Sequence, residues 1–344
     1  MAIKANFTAG VLSVTGHNGG DAITVSRDAA GQILINGGAI SVQGDQPTLT
    51  NTTQIDVFGG NGNDMISLDN VAPPTGQALP PAHLFGGNGN DTLIGGAGND
   101  MLFGGNGDDT VIGGKGSDTA FLGNGNDTFI WNPGDGNDIF DGGRGFDTLD
   151  FRGKNGGETI TISGNGSGGA TFLRTGGTID LTSVERIQFE ATNQGQFADN
   201  ITINDLTGSG VQQVALDLGG GLPAGGDGQG DTVTINATHH GAITVTDNNG
   251  VVTVTGLASA VTLSNFEVGV DQLVINNETV AVADGQTIVV ALATATDTSR
   301  AAGFASLHQH MASSFADAGG SHHGMPAADT HSTFHQPMLA QPHA

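Results

Sequence analysis

The sequence predicts an all-β fold, a parallel solenoid of short strands. Three observations predict it. First, a nine-residue unit runs five times without a gap from Gly86 to Ile130: GGNGNDTLI, GGAGNDMLF, GGNGDDTVI, GGKGSDTAF and LGNGNDTFI. Second, glycine holds places one, two and four of the unit, aspartate place six and an apolar residue place eight. Leu122 stands for the first glycine of the last copy. Third, the flanking sequence reads as short alternating strands broken by Asn-Gly and Gly-Gly turns, with no helical period before residue 291.

A unit with three glycines in nine is not helical, because each glycine costs ~1 kcal/mol relative to alanine inside a helix. Glycine reaches positive φ, so the first six residues form a tight turn. The last three, such as Thr92-Leu93-Ile94, are β-branched or apolar and suit a strand. One turn and one strand make half a coil. Two units close it, and stacked coils bury one continuous core. Place eight points inward, where Ile66, Leu93, Leu102, Val111, Phe129, Phe140 and Leu149 fill it. Ala120 is expected to leave a thin spot. Outlying copies are Gly59–Ser67 (GGNGNDMIS), Pro133–Asp141 (PGDGNDIFD) and Gly142–Asp150 (GGRGFDTLD).

Stacking aligns like turns, so Asp91, Asp109 and Asp127 form one column and Asp100 and Asp118 another. Unpaired carboxylates at coil spacing repel. A hard divalent cation reverses the sign. Ca²⁺ takes six to eight oxygens in flexible geometry, carbonyls included, whereas Mg²⁺ demands a strict octahedron and holds its water.

The pattern GGxGxDxUx resembles the repeats-in-toxin (RTX), or hemolysin-type, calcium-binding repeats of bacteria, which form parallel β-rolls. The run FLGNGNDTFIWNPGDGNDIFDGGRGFDTLDFRG, with LTSVERIQFEA and NITINDLTGSGVQQVALDL after it, is similar to a non-enzymatic group within that family. The resemblance implies that Asp64, Asp91, Asp100, Asp109, Asp118, Asp127, Asp138 and Asp147 supply carboxylates. Turn residues Gly60, Gly62, Gly86, Gly87, Asn88, Gly89, Gly95, Gly96, Gly98, Gly104, Gly105 and Gly107 would complete the sites with carbonyls. So would Gly113, Gly114, Gly116, Gly123, Gly125, Gly134, Gly136, Gly143 and Gly145. Ca²⁺ coordination numbers then give about four to seven ions. The chain departs from the pattern in three places. Trp131-Asn132 shifts the register by two, and Pro133 replaces a first glycine. An eighteen-residue insert, Leu68–Phe85, separates the first copy from the rest. That insert is either two degenerate copies in register or a proline-rich excursion.

Four segments follow. Residues 1–58 read as a degenerate solenoid or N-terminal cap, and 59–150 as the calcium-binding roll. Residues 151–290 read as degenerate solenoid modules. Residues 291–344 carry an amphipathic helix, Asp297–Ala318, and a histidine-rich tail. Glu158-Thr-Ile-Thr-Ile162 echoes Asp231-Thr-Val-Thr-Ile235, and Asp199 and Asp271 also open strands. An uncleaved C-terminal segment beyond such an array resembles a type I secretion signal, which suits the absence of a visible N-terminal secretory peptide.

Lysine and arginine number 9 against 34 acidic residues, a formal charge of −25, which disfavours nucleic acid and anionic membranes and favours cations. No stretch nears the ~20 apolar residues of a membrane span. The chain has no cysteine, so calcium takes the stabilising role of disulfides. Seven tail histidines (His308, His310, His322, His323, His331, His335, His343) read either as a transition-metal site or as tail composition. Trp131 reads as a sugar-stacking platform or a core plug, and Asp108 as half of a carboxylate pair or an exposed turn residue. Asp227 and Asp231 read as an imperfect further calcium site.

The expected protein is a non-enzymatic, secreted, calcium-binding structural or adhesive element of the bacterial surface or biofilm matrix. It passes through a type I apparatus and folds on calcium outside. Its partners are itself, as filament or layer, or surface polysaccharide. The alternatives are the export module of an extracellular hydrolase, or a calcium-buffering or host-interaction factor.

Overall fold

The computed structural model describes residues 2–68, 78–153, 156–190, 197–219, 228–238, 242–283 and 285–291. The helix expected over Asp297–Ala318, the tail histidines and Asp227 lie outside them.

Strands alternate between two long sheets, one of fifteen strands and one of thirteen among the described residues. The solenoid predicted from the repeats is what forms. Strands Gln54–Asn61, Ala82–Asn88, Met101–Asn106, Thr119–Asn124 and Asp138–Arg144 stack in the first sheet. Strands Met65–Leu68, Thr92–Ala97, Thr110–Lys115, Thr128–Trp131 and Thr148–Arg152 stack in the second. All these neighbours are parallel, with like places paired: Leu102 lies opposite Leu84 and Ala120, and Val111 opposite Leu93 and Phe129. The only helical element among the described residues is a 3-10 turn, Asn36–Gly38.

Place eight makes the core. Leu84, Leu93, Leu102, Val111, Ala120, Phe129, Phe140 and Leu149 are all fully buried. Each large member contributes about 2 kcal/mol by area bookkeeping. The thin spot expected at Ala120 is compensated on its own strand. Leu122, two residues on and therefore on the same face, is also fully buried. The substitution that breaks the glycine pattern thus supplies core volume.

The described part of the insert bears on one of the two expectations. Gly60 pairs with Gly87 and Met65 with Thr92, so the first copy stacks directly on the second. Residues 78–85 form one degenerate half-coil, with Leu79, Ala82 and Leu84 buried. The nine remaining residues, 69–77, lie outside the described set. The pairing of Gly60 with Gly87 excludes two degenerate copies in register, and the proline-rich excursion falls on residues outside the described set.

Beyond Asp150 the parallel stacking continues. Thr148–Arg152 pairs with Arg186–Glu190, then with Gln213–Asp217 and Ala260–Ser264. Antiparallel hairpins interrupt it at Thr159–Thr182 and Ala242–Ser264. Trp131 is buried against Phe151 and Phe172, with ring centroids 5.3 and 5.7 Å away. It is a core plug at the register shift, so a sugar platform is excluded.

Candidate metal centre

The turns of the repeat place one carboxylate per coil on each edge of the solenoid. Backbone hydrogen bonds define the two columns. The Asp64 N–H donates to Asp91 Oδ1 (2.7 Å), Asp91 to Asp109 (2.8 Å), Asp109 to Asp127 (2.7 Å) and Asp127 to Asp147 (2.8 Å). On the other edge Asp100 donates to Asp118 and Asp118 to Asp138, both at 2.8 Å. The two-residue shift at Trp131-Asn132 is absorbed in a local turn, where the Asn132 N–H donates to Asp135 Oδ2. Gly136 then falls beneath Gly116, and Asp138 keeps its column.

Every aspartate uses Oδ1 in this way. In all eight, Oδ2 is buried and has no hydrogen-bond partner. Burial of an unsatisfied charged oxygen is costly. Desolvation raises the carboxyls of Asp100, Asp109, Asp118 and Asp138 to about 7. It raises those of Asp91, Asp127 and Asp147 to about 6, and that of Asp64 by less. The neighbouring backbone N–H opposes each rise. Repulsion along the column adds to it for Asp109, which faces both Asp91 and Asp127.

Glycine at place one keeps carbonyls beside these orphan oxygens. A Cβ on Gly86 would lie inside 3.0 Å of both Asp91 Oδ2 and the Gly104 carbonyl. The same pairing holds at Gly59 (Asp64, Gly86), Gly95 (Asp100, Gly113) and Gly104 (Asp109, Leu122). Leu122 therefore retains the carbonyl its place requires. Places two and four are tight for another reason. Their positive φ and the preceding coil's carbonyl exclude a side chain, as at Gly105 against Gly87. Gly134 keeps the φ of its place, but no neighbouring atom lies within 4 Å of its Cβ position, so it stands outside the stack. The orphan oxygens and adjacent carbonyls form an all-oxygen, anionic donor set, which fits Ca²⁺.

Asp108 is an exposed turn residue. Place five forms a second ladder: the Asp108 N–H donates to Asn90 Oδ1 (3.0 Å), and Asp108 Oδ1 accepts from Asn126 (2.7 Å).

A protein-family model for the RTX calcium-binding nonapeptide repeat matches residues 83–111, 103–130 and 134–149. The chain thus carries RTX calcium-binding nonapeptide repeats. The matched segments leave out residues 131–133, where the register shifts. No curated protein matches the chain.

The RTX columns extend further than the nonapeptides suggest. Asp21 donates its N–H to Asp64 Oδ1 (2.7 Å), and Asp147 donates to Glu185 Oε2 (2.8 Å). Gly16–Thr24 (GHNGGDAIT) carries the unit's residues at places one, four, six and eight, a signal legible in sequence. A third series runs Glu158, Asp199, Asp231, Asp271 through the same kind of bond. It lacks the phased glycines that would have marked it. At its head, buried Glu158 is paired bidentately with buried Arg174 at 3.1–3.2 Å, so a guanidinium supplies the positive charge there. Among the described residues no helix is long and apolar enough to cross a membrane.

Proposed function

We propose that this protein is a secreted, non-enzymatic structural or adhesive element that folds on Ca²⁺ after export. One observation carries the calcium-folding reading: eight stacked aspartates, each with one buried oxygen that the protein leaves without a partner. Asp64, Asp91, Asp100, Asp109, Asp118, Asp127, Asp138 and Asp147 are the side-chain ligands in this reading. The carbonyls of places one, two and four complete the shells. Export through a type I apparatus, and the C-terminal signal it needs, belong to the same proposal.

The structural role is favoured by the outer face of the first sheet. Phe58, Phe85, Phe103 and Phe121 stack there in one ladder, with centroids 4.8, 4.7 and 5.6 Å apart. Phe58 and Phe121 are 38% and 39% exposed, and Met101 and Ile139 add 36% and 49% beside them. Such a contiguous apolar strip on an otherwise acidic chain marks an interaction surface. Among the described residues Val42–Gly44 and Thr287–Ala291 are terminal strands of their sheets, and such edges favour end-to-end pairing.

Light scattering and electron microscopy of the calcium-loaded chain test the role. Concentration-dependent assembly that weakens in Phe85→Ser/Phe103→Ser is expected. A monomer at all concentrations, indifferent to those substitutions, would reject the assembling role. Circular dichroism with and without calcium tests the folding step separately.

A further inference from the structure

The first carboxylate column does not end with the last nonapeptide. The Asp147 N–H donates to Glu185 Oε2 at 2.8 Å, as each repeat aspartate donates to the next. Thr148 pairs with Arg186, so Glu185 occupies place six of the following coil. Its turn, Ser183-Val184-Glu185, is three residues where the repeats use six. The extra methylene of glutamate lets the carboxylate reach back from this shorter turn.

The rest of the donor set is also reproduced. Ser183 adopts positive φ (52°), a conformation rare outside glycine. A Cβ on Gly142 would lie inside 3.0 Å of both the Ser183 carbonyl and Asp147 Oδ2. That is the carbonyl–carboxylate pairing of Gly86 with Gly104 and Asp91. Asp147 is fully buried, and its Oδ2 has no hydrogen-bond partner.

The opposite end of the column is closed by the chain itself. His17 replaces the second glycine of its unit. Its N–H donates to Asp21 Oδ2 (2.6 Å), and its Nε2 lies 3.2 Å from Asp21 Oδ1. Asp21 Oδ2, the oxygen without a partner in the repeats, is thus taken by a backbone N–H.

We infer that Asp147, Glu185 and the Ser183 carbonyl form a further Ca²⁺ site, the last of its column, built by a turn outside the nonapeptide pattern. The inference rests on the calcium-binding reading above. At the Asp21 end the His17 N–H takes Oδ2, the oxygen left without a partner in the repeats, so no ion is expected there.

Calcium titration calorimetry on the full chain tests it, with folding at saturating calcium followed by circular dichroism. Glu185→Gln keeps the acceptor for the Asp147 N–H and removes the charge. It is expected to drop one ion from the stoichiometry, or to weaken one site on the order of 10-fold or more. Asp21→Asn is expected to leave the count unchanged. An unchanged isotherm for Glu185→Gln overturns the inference while leaving calcium binding intact. A wild-type chain that takes up no calcium overturns both. If Glu185→Gln does not fold, Glu185→Asp carries the test. It keeps the charge one methylene short, so the same weakening is expected, and unchanged affinity refutes the site.

Discussion

Chelation should make the stability of this fold fall as pH rises. The carboxyls of Asp100, Asp109, Asp118 and Asp138 are raised by burial from the ordinary 3.8 to about 7. A group raised in the folded state holds its proton more tightly folded than unfolded. Its stabilising contribution is therefore complete below pH 3.8 and is lost as pH climbs through about 7. One such shift corresponds to about 4 kcal/mol when the group is ionised. Solvent screening lowers this for Asp109, yet even a few kcal/mol from the four together is a large part of the ~5–15 kcal/mol stability of a typical domain. The chelated array should thus hold its β-structure near pH 5 and lose it by pH 7.5. Millimolar calcium should restore it at pH 7.5, with an affinity that rises with pH as protons leave the ligands. The formal charge of −25 pushes in the same direction, but it acts across solvent. Half-molar salt screens it and leaves the buried term. Far-UV circular dichroism and calorimetric melting in chelator and 0.5 M salt, from pH 5 to 8, provide the assay. A melting temperature that is flat or rises across that range refutes the argument.

Three further outcomes follow from single residues. Asp109→Asn keeps the oxygen that accepts the Asp91 N–H and removes one buried charge. In chelator at pH 6, where the fold still stands, the variant should gain about 2 kcal/mol in urea melts, while its calcium affinity at neutral pH falls at least tenfold. Leu122→Gly restores the repeat consensus yet should destabilise the calcium-loaded fold by about 3 kcal/mol, because Leu122 is fully buried beside the small Ala120. A stabilised variant in the same urea melt would contradict that packing. Gly104→Ala puts a methyl inside 3.0 Å of Asp109 Oδ2 and the Leu122 carbonyl, so calorimetry should show a lost or weakened site. Gly19→Ala, whose Cβ has its nearest neighbour at 3.5 Å, should bind as wild type.

The repeat made the central coils legible because two independent constraints keep the same phase. Place eight must be apolar to fill the core, and places two and four must be glycine to pass the carbonyl of the coil before. Where only the first constraint survives, as at Thr232–Ile235, sequence shows a strand but not its partner. Glu185 was missed for the same reason: a three-residue turn with Ser183 at positive φ does the work of six residues and three glycines. His17 hid Asp21 by replacing one glycine of an otherwise matching unit. The insert misled through its length. Eighteen residues suggest a full coil, whereas pairing of Gly60 with Gly87 leaves room for half of one.

The two ladders at places five and six explain what is left for calcium to do. Place-six side chains reach back to the coil before, as Asp109 Oδ1 does to the Asp91 N–H. Place-five side chains reach forward, as Asn90 Oδ1 does to the Asp108 N–H. Hydrogen bonds to short side chains therefore bear on register from both directions. Outside the turn, Asn88, Asn106 and Asn124 link successive coils at 2.8 Å. Polar geometry at these places is thus satisfied by the chain, and the unmet demand is charge on the buried Oδ2 atoms. Calcium then acts as a neutraliser of a shape the sequence already encodes. On that argument an array with its place-six aspartates changed to asparagine would fold without calcium, at neutral pH, in the same register. Hydrogen-exchange protection of the Thr92–Phe121 amides in chelator would show it, and unprotected amides there would mean that the metal builds the turn as well as neutralising it.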